Sequence, residues 1–160
     1  MVALRIARPE IGGAEAARRA LAALDRLGGA GLALEPIGRL SGGQRQIAGL
    51  APAVAADPPL LLLDEPSSAL DLAHQFRLMR LLQDIAREGR RVVVVLHDLT
   101  LAAQWADEIA VLHDGRLVAQ GPPGAVVTAG LLRDVWRVRA SVSGDPPRIA
   151  IHDLAEGAVR

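Results

Sequence analysis

Lysine is absent from all 160 residues, so the 18 basic charges are all arginines. A phosphate-cradling loop of the form G-x-x-x-x-G-K-[ST] uses its lysine to reach the β- and γ-phosphates of a nucleotide. These residues therefore cannot contain one. Cysteine is absent as well, which excludes disulfides, thiolate nucleophiles and cysteine metal sites, and fits a cytoplasmic protein. Aromatic residues make up 2% of the chain and are limited to Phe76, Trp105 and Trp136. The core is therefore expected to be aliphatic. Neither sign of charge dominates: 18 Asp and Glu balance the arginines to a net charge of zero. That balance lacks the basic footprint of a nucleic-acid binder, and no basic run suggests a membrane surface. The longest pure apolar runs, Leu60–Leu63 and Val92–Leu96, fall far short of the ~20 residues of a membrane-spanning helix. The opening MVALRIARPE is interrupted by Arg5, Arg8 and Pro9 and is not expected to be a signal peptide.

What is present is about one domain's length, 51% hydrophobic and able to bury a core. Ala and Leu at helical spacing predict a helix over 14–28, stopped by Gly28 and Gly29. A loop follows, punctuated by Pro36 and Gly38. Ser41 is placed to cap a helix over 43–56, with Pro52 as a defect inside it, costing ~3 kcal/mol in a helix interior. Leu60–Leu63 and Arg91–Leu96 read as buried strands. Between them, 72–88 reads as an amphipathic helix with Leu72, Phe76, Met79 and Leu82 on its apolar side. A short helix over 99–106 precedes a hairpin of 108–112 and 116–120, turned by Asp114-Gly115. A helix near 131–137 and an edge strand at 148–152 complete the chain. Strands alternating with helices, two of them apolar on both faces, predict an α/β fold with a parallel sheet covered on both sides.

Several residues in this frame suit chemistry. Asp64 and Glu65 follow an apolar strand, at the carboxyl edge where α/β sheets place ligands. Asp64 can hold Mg²⁺ and Glu65 can polarise an attacking water. The same pair suits a solvated acidic turn. Ser41, Gly42, Gly43 and Gln44 open a helix, where backbone N–H groups make an anion site. An ordinary serine N-cap uses the same residues. His97 follows the second strand and is placed to touch a phosphate and the base, or to be a plain turn histidine. Ser67, Ser68 and Asp71 read as a turn and N-cap. His74, His113 and His152 have no metal-ligand spacing and read as surface residues.

Taken in order, Leu40-Ser-Gly-Gly-Gln44, LLLLDEP at 60–66, Ser68-Ala-Leu-Asp71 and VVLHD at 94–98 resemble the motif series of ABC-type ATPases. The resemblance runs from about residue 38 to about residue 138. It implies that Ser41–Gln44 is the signature motif, which contacts the γ-phosphate of ATP held by an opposite subunit. It implies further that Asp64 is the Walker B aspartate, Glu65 the catalytic glutamate, Ser68–Asp71 the D-loop at a dimer interface, and His97 the switch histidine. Leu72-Ala-His74-Gln75 and LHDLTLAAQWAD at 96–107 look most like the importers of iron-siderophore, haem and cobalamin. Two stretches depart from the family pattern: Arg45-Gln46-Ile47, and Ala51-Pro52-Ala53-Val54.

The resemblance implies an α/β fold corresponding to the C-terminal portion of a P-loop NTPase sheet with flanking helices, lacking the P-loop strand. Residues 1–56 would end a helical subdomain carrying the signature, 57–140 would form the catalytic portion, and 141–160 would be a weakly patterned tail. The implied ligands are ATP and Mg²⁺. The implied partners are a second ATP-binding subunit and transmembrane permease subunits, which would hold the protein on the inner face of the membrane. Nucleic acid is not an expected partner. The expectation is an ATPase subunit truncated at its N-terminus, inactive in isolation and prone to aggregate. Two other readings stand beside it. One is a non-catalytic interaction module that lends its signature motif to a partner. The other is half of a DNA-repair or chromosome-structure ATPase, against which the hairpin and the LAAQWAD run weigh.

Overall fold

The computed structural model describes residues 12–155. The reading of the first ten residues, and of the leader before Gly12, lies outside them. The chain forms two compact units that divide between Leu96 and His97.

The first unit begins with α1 (Gly13–Arg26), which ends where Gly28 takes φ 74°, a left-handed position that favours glycine. Two short 3₁₀ turns, Ala30–Leu32 and Ile37–Arg39, lead into α2 (Gly42–Ala55). Ser41 closes a capping box on α2: its Oγ accepts from the Gln44 N–H at 3.2 Å, and Gln44 Oε1 accepts from the Ser41 N–H at 2.8 Å. Two first-turn donors are thereby satisfied at once. Pro52 sits in the last turn of α2 and the helix runs through it to Ala55, so the expected defect does not break the element. α1 and α2 pack together and bury Ala16 and Ala23 on one helix and Ile47, Leu50, Ala51 and Val54 on the other.

β1 (Leu60–Asp64), α3 (Leu72–Arg87) and β2 (Arg91–Val95) follow as a βαβ unit. The strands pair in parallel, with Leu60 opposite Arg91 and Asp64 opposite Val95. Parallel neighbours need a crossover of this length. On α3 the buried residues are Leu78, Met79, Leu81, Leu82 and Ile85. This corrects the expected apolar side, since Leu72 is 83% exposed and Phe76 50% exposed. The spacing of 78, 81, 82 and 85 makes one continuous helical face. At about 100° per residue, positions 72 and 76 fall outside that arc.

The second unit contains α4 (Leu99–Trp105) and a hairpin of β3 (Ile109–His113) and β4 (Arg116–Gly121). Asp114 and Gly115 both take positive φ, 49° and 71°, as a two-residue hairpin turn matched to strand twist requires. After the short α5 (Pro123–Val126) and α6 (Ala129–Trp136) comes a second hairpin, β5 (Val138–Ser143) with β6 (Arg148–Leu154). Ala103, Ile109, Val111, Val126 and Val127 form its aliphatic core. Among the described residues, no helix is long and apolar enough to cross a membrane.

The expected sheet covered on both faces is not what forms. The described strands make three two-stranded sheets, only one of them parallel. In that pair Leu61 and Leu63 are buried, whereas Leu62 is 65% exposed and Val93 53% exposed, with Leu60 and Val95 exposed beside them. Parallel strands ordinarily lie covered on both faces, and a bare aliphatic face invites association. Replacing Leu62 and Val93 by threonine places β-branched strand formers at both positions while removing apolar surface. The double variant should bind less of a hydrophobic dye and elute later from size exclusion than the parent. Unchanged association in a folded variant would acquit this face.

Candidate functional site

The carboxyl ends of β1 and β2 share one edge, because the strands are parallel. The ladder's final rung runs from the Glu65 N–H to the Val95 carbonyl at 3.1 Å. There the chain turns. Glu65 takes φ 45°, left-handed for a residue with a side chain, which costs on the order of 1–3 kcal/mol. Pro66 follows it and is fully buried. A proline disfavours the right-handed helical region for the residue before it, so Glu65 cannot simply continue into a helix.

Two small turns then overlap. The Ser68 N–H donates to the Glu65 carbonyl at 3.3 Å, and the Leu70 N–H donates to the Ser67 carbonyl at 3.1 Å. The Ser68 hydroxyl adds a bond to the Glu65 carbonyl at 3.1 Å. Asp71 ends the segment as the N-cap of α3. Its Oδ1 accepts from the His74 N–H and lies 2.9 Å from His74 Nδ1. His74, read as a surface residue from sequence, is half-buried, and these bonds tie it to the cap.

These bonds place the expected site residues as follows. Asp64 is exposed at the strand end and Glu65 is half-buried beside it. The Ser41–Gln44 segment lies against the turn that follows them. A Cβ added at Gly43 would sit 2.8 Å from the Ala69 carbonyl oxygen, so a glycine is required for this approach. The N–H groups of Gly42 and Gly43 precede the first intrahelical donor of α2, which is Arg45. Neither has a partner among the described residues. Space beside Gly42 is open. Ser41, Gly42, Gly43 and Gln44 thus share one unit with Asp64, Glu65 and Asp71. His97 is the first residue of the other unit. It is exposed and precedes Asp98, whose carboxylate caps α4 by accepting from the Leu101 N–H at 3.0 Å.

Among the described residues, no three His, Cys, Asp or Glu side chains gather to hold a metal ion. Asp64 alone suits Mg²⁺ that arrives with phosphates, since that ion is commonly held by one or two carboxylates plus substrate oxygens. A free helix N-terminus suits an anion. The residues present therefore fit two separate parts of a Mg²⁺–nucleotide site. Two contacts could not be read from sequence, because they depend on which backbone carbonyls come within reach. Gln75 Nε2 donates to the Ser67 carbonyl at 3.2 Å, and Gln46 Nε2 donates to the Glu65 carbonyl at 3.5 Å.

A family described as "AAA domain, putative AbiEii toxin, Type IV TA system" matches residues 17–103. The hemin import ATP-binding protein HmuV of Streptomyces coelicolor is 53% identical over 107 residues, covering 67% of this chain and 38% of that protein. HmuV of Hahella chejuensis is 40% identical over 152 residues, covering 91% and 59%. The cobalamin import ATP-binding protein BtuD of Halobacterium salinarum is 42% identical over 130 residues, covering 81% and 33%. Among solved structures, one described as "an inward-facing conformation of a putative metal-chelate type ABC transporter" aligns with a TM-score of 0.71 at 29% identity, covering 89% of this chain and 58% of that one. The chain belongs to the ATP-binding subunits of ABC transporters. It spans 38% of the first of these relatives and 59% of the second. A dimeric ATP-binding cassette in a post-hydrolysis state with ADP and Pi aligns at TM-score 0.65 and 34% identity, covering 72% of this chain and 50% of that one. The fold is accordingly the α/β fold of these ATPases, present in part.

The cap of α3 gives this chain a pH signature. Bonds from the His74 N–H and His74 side chain hold the Asp71 carboxyl below its ordinary value of 3.8. A depressed folded value stabilises the fold above the unfolded value, and the contribution is lost as pH falls through the folded one. Asp71→Ala should therefore lower the denaturation midpoint at neutral pH by an amount that stays constant down to about pH 5. The gap should close only below 3.8, as the carboxyl protonates. Chemical denaturation of both proteins across pH 2–7, roughly the carboxylate range, checks this. A gap that persists in full at the acid end would show that the carboxylate charge is not what stabilises the cap.

Proposed function

We propose that this chain carries one half of an ATP-hydrolysing site and completes the other half from residues outside these 160. The observation that carries the reading is the contact of Gly43 with the Ala69 carbonyl, which seats the signature segment on the turn after Glu65. In this reading Asp64 holds Mg²⁺ and Glu65 polarises the attacking water as general base. The free N–H groups of Gly42 and Gly43, with the Ser41 hydroxyl, are donors preorganised for a phosphate on an opposing subunit. Gln44 braces them, Asp71 fixes the D-loop against a second copy, and His97 senses the γ-phosphate. Residues 1–56 supply the signature and 57–140 the catalytic carboxylates and switch, and 141–160 have no part in the chemistry.

The partners follow from the same reading: a second ATP-binding subunit and a pair of permease subunits that hold the protein against the inner face of the cell membrane. The transported cargo is a metal chelate of the iron-siderophore, haem or cobalamin class. The names of the relatives support it, since they include hemin, petrobactin and cobalamin import ATP-binding proteins. The absence of lysine favours a second reading for the chain on its own, a non-catalytic module that donates its signature to a partner's phosphate loop. That lysine is a main ground-state contact to the β- and γ-phosphates.

Phosphate release separates the readings. The purified chain should show no turnover above background, and turnover that disappears in Glu65→Gln would overturn the half-site assignment. Joined to a lysine-bearing phosphate-loop segment, the chain should hydrolyse ATP. In that fusion Glu65→Gln should lower kcat by about 10²-fold or more, the low end for losing a general base, while ATP-dependent dimers persist. Ser41→Arg should abolish hydrolysis by filling the anion site. Wild-type rates in both variants would remove the roles given to these residues.

A further inference from the structure

Two carbonyls in the turn after β1 each accept from within the turn and from a glutamine outside it. Ser67 O accepts from the Leu70 N–H at 3.1 Å and from Gln75 Nε2 at 3.2 Å. Glu65 O accepts from the Ser68 N–H at 3.3 Å and hydroxyl at 3.1 Å, and from Gln46 Nε2 at the longer distance of 3.5 Å. Gln46 lies on α2, the helix that the signature opens, and Gln75 on α3. Both contacts are partly buried, where a hydrogen bond is stronger than in water and a lost one is not fully replaced. The segment between them needs such support. Glu65 is held in a left-handed conformation, and conformations of this kind persist only where surrounding structure enforces them.

We infer that Gln75 and Gln46 are positioning residues: their amides clasp the Glu65–Leu70 turn from two helices, so that the carboxylate-bearing turn and the signature helix hold one geometry. Gln75 carries the larger share, because its bond is the shorter. Gln46 adds the link to α2, beside the close approach of Gly43 to Ala69. Glutamine suits the task because its NH₂ donates while its carbonyl stays available, and it carries no charge that would compete for a bound cation or phosphate. The clasp is a property of this chain alone. Its consequence for hydrolysis rests on the role proposed for Glu65, so the test reads the clasp without reading activity.

Residue-resolved hydrogen exchange on the 160-residue chain reports the two turns separately, through the Leu70 and Ser68 amides. Gln75→Met keeps the length of the side chain and removes its donors. It should speed Leu70 exchange by about fivefold, the factor equivalent to the ~1 kcal/mol of one neutral hydrogen bond. The amides of Leu63 and Val93 in the β1–β2 ladder should change less than twofold. Gln75→Lys restores an N–H donor at similar reach and should return Leu70 toward the parent rate. Gln46→Met should speed Ser68 by a smaller factor. Leu70 exchange at the parent rate in Gln75→Met would overturn the inference. So would a uniform acceleration of Leu70 with the ladder amides, or a Gln75→Lys protein no better protected than Gln75→Met. Should Gln75→Met fail to fold, the comparison of Gln75→Lys with Gln75→Glu decides: equal Leu70 protection in an amine donor and a carboxylate acceptor refutes the clasp.

Discussion

The hydrogen bond from the Glu65 N–H to the Val95 carbonyl is the bond on which the site depends. It is the last rung of the parallel ladder and fixes where β1 ends relative to β2. Everything chemical in the first unit is counted from it. Asp64 stands before it at the strand terminus. Glu65 leaves it in a left-handed turn, and Pro66, buried behind, blocks the helical alternative. The two overlapping turns then deliver Asp71 to the start of α3, where its carboxylate caps the helix. A slip of one residue in this register would exchange the buried Leu61 and Leu63 for Leu60 and Leu62, and would move the carboxylates to the other face. The hydrophobic alternation and the acidic pair thus set each other's position.

That register is held by one buried face. Leu61 and Leu63 are covered while Leu60, Leu62, Val93 and Val95 are not. At about 25 cal/mol per Å² of apolar surface, the uncovered face withholds stabilisation that a domain with a total margin of roughly 5–15 kcal/mol needs. A two-stranded sheet is marginal without packing against a helix, and here α3 supplies that packing for β2. The strain at Glu65 is carried by the same small structure. The additional bonds to the carbonyls of Glu65 and Ser67 are therefore spent where the margin is thinnest.

Much of this was legible in the residues. Ser41 ahead of a helical run announces an N-cap, and Asp114-Gly115 between apolar alternations announces a hairpin. The apolar runs at 60–63 and 92–96 marked strands. Their composition could not tell whether partners cover both faces, because that depends on what else packs there. For α3 the sequence offers two overlapping apolar rows. The choice of 78, 81, 82 and 85 over the row containing Leu72 and Phe76 is made by tertiary packing. The return strand at Val138–Ser143 was missed although Val138, Ala140 and Val142 alternate strictly with Arg139, Ser141 and Ser143, because alanine and serine are weak strand formers that blunt the pattern. The candidate site residues stand in the sequence as a series of short motifs. The glutamine contacts and the His74–Asp71 bond were not legible, since a polar side chain's partner is set by where distant backbone groups arrive.

Ser41 illustrates how a structural role leaves room for the anion-binding role proposed for the same residue. Read from sequence, an N-cap and an anion site compete for it. Their atoms differ. The cap uses lone pairs: Ser41 Oγ accepts from the Gln44 N–H, and Gln44 Oε1 accepts from the Ser41 N–H. An anion would use donors: the Ser41 hydroxyl proton and the N–H groups of Gly42 and Gly43. The capping box consumes none of these. It instead fixes the direction in which they point, because the first turn of α2 cannot fray while both of its bonds are made. A helix N-terminus also carries partial positive charge from its unsatisfied donors, so the better the cap orders the turn, the better the remaining donors are aligned. Gly43 adds a steric condition, since any Cβ there would collide with the Ala69 carbonyl and push the helix start away from the turn that follows Glu65. The serine orders the donors and the glycine seats them, and neither function is complete without the other.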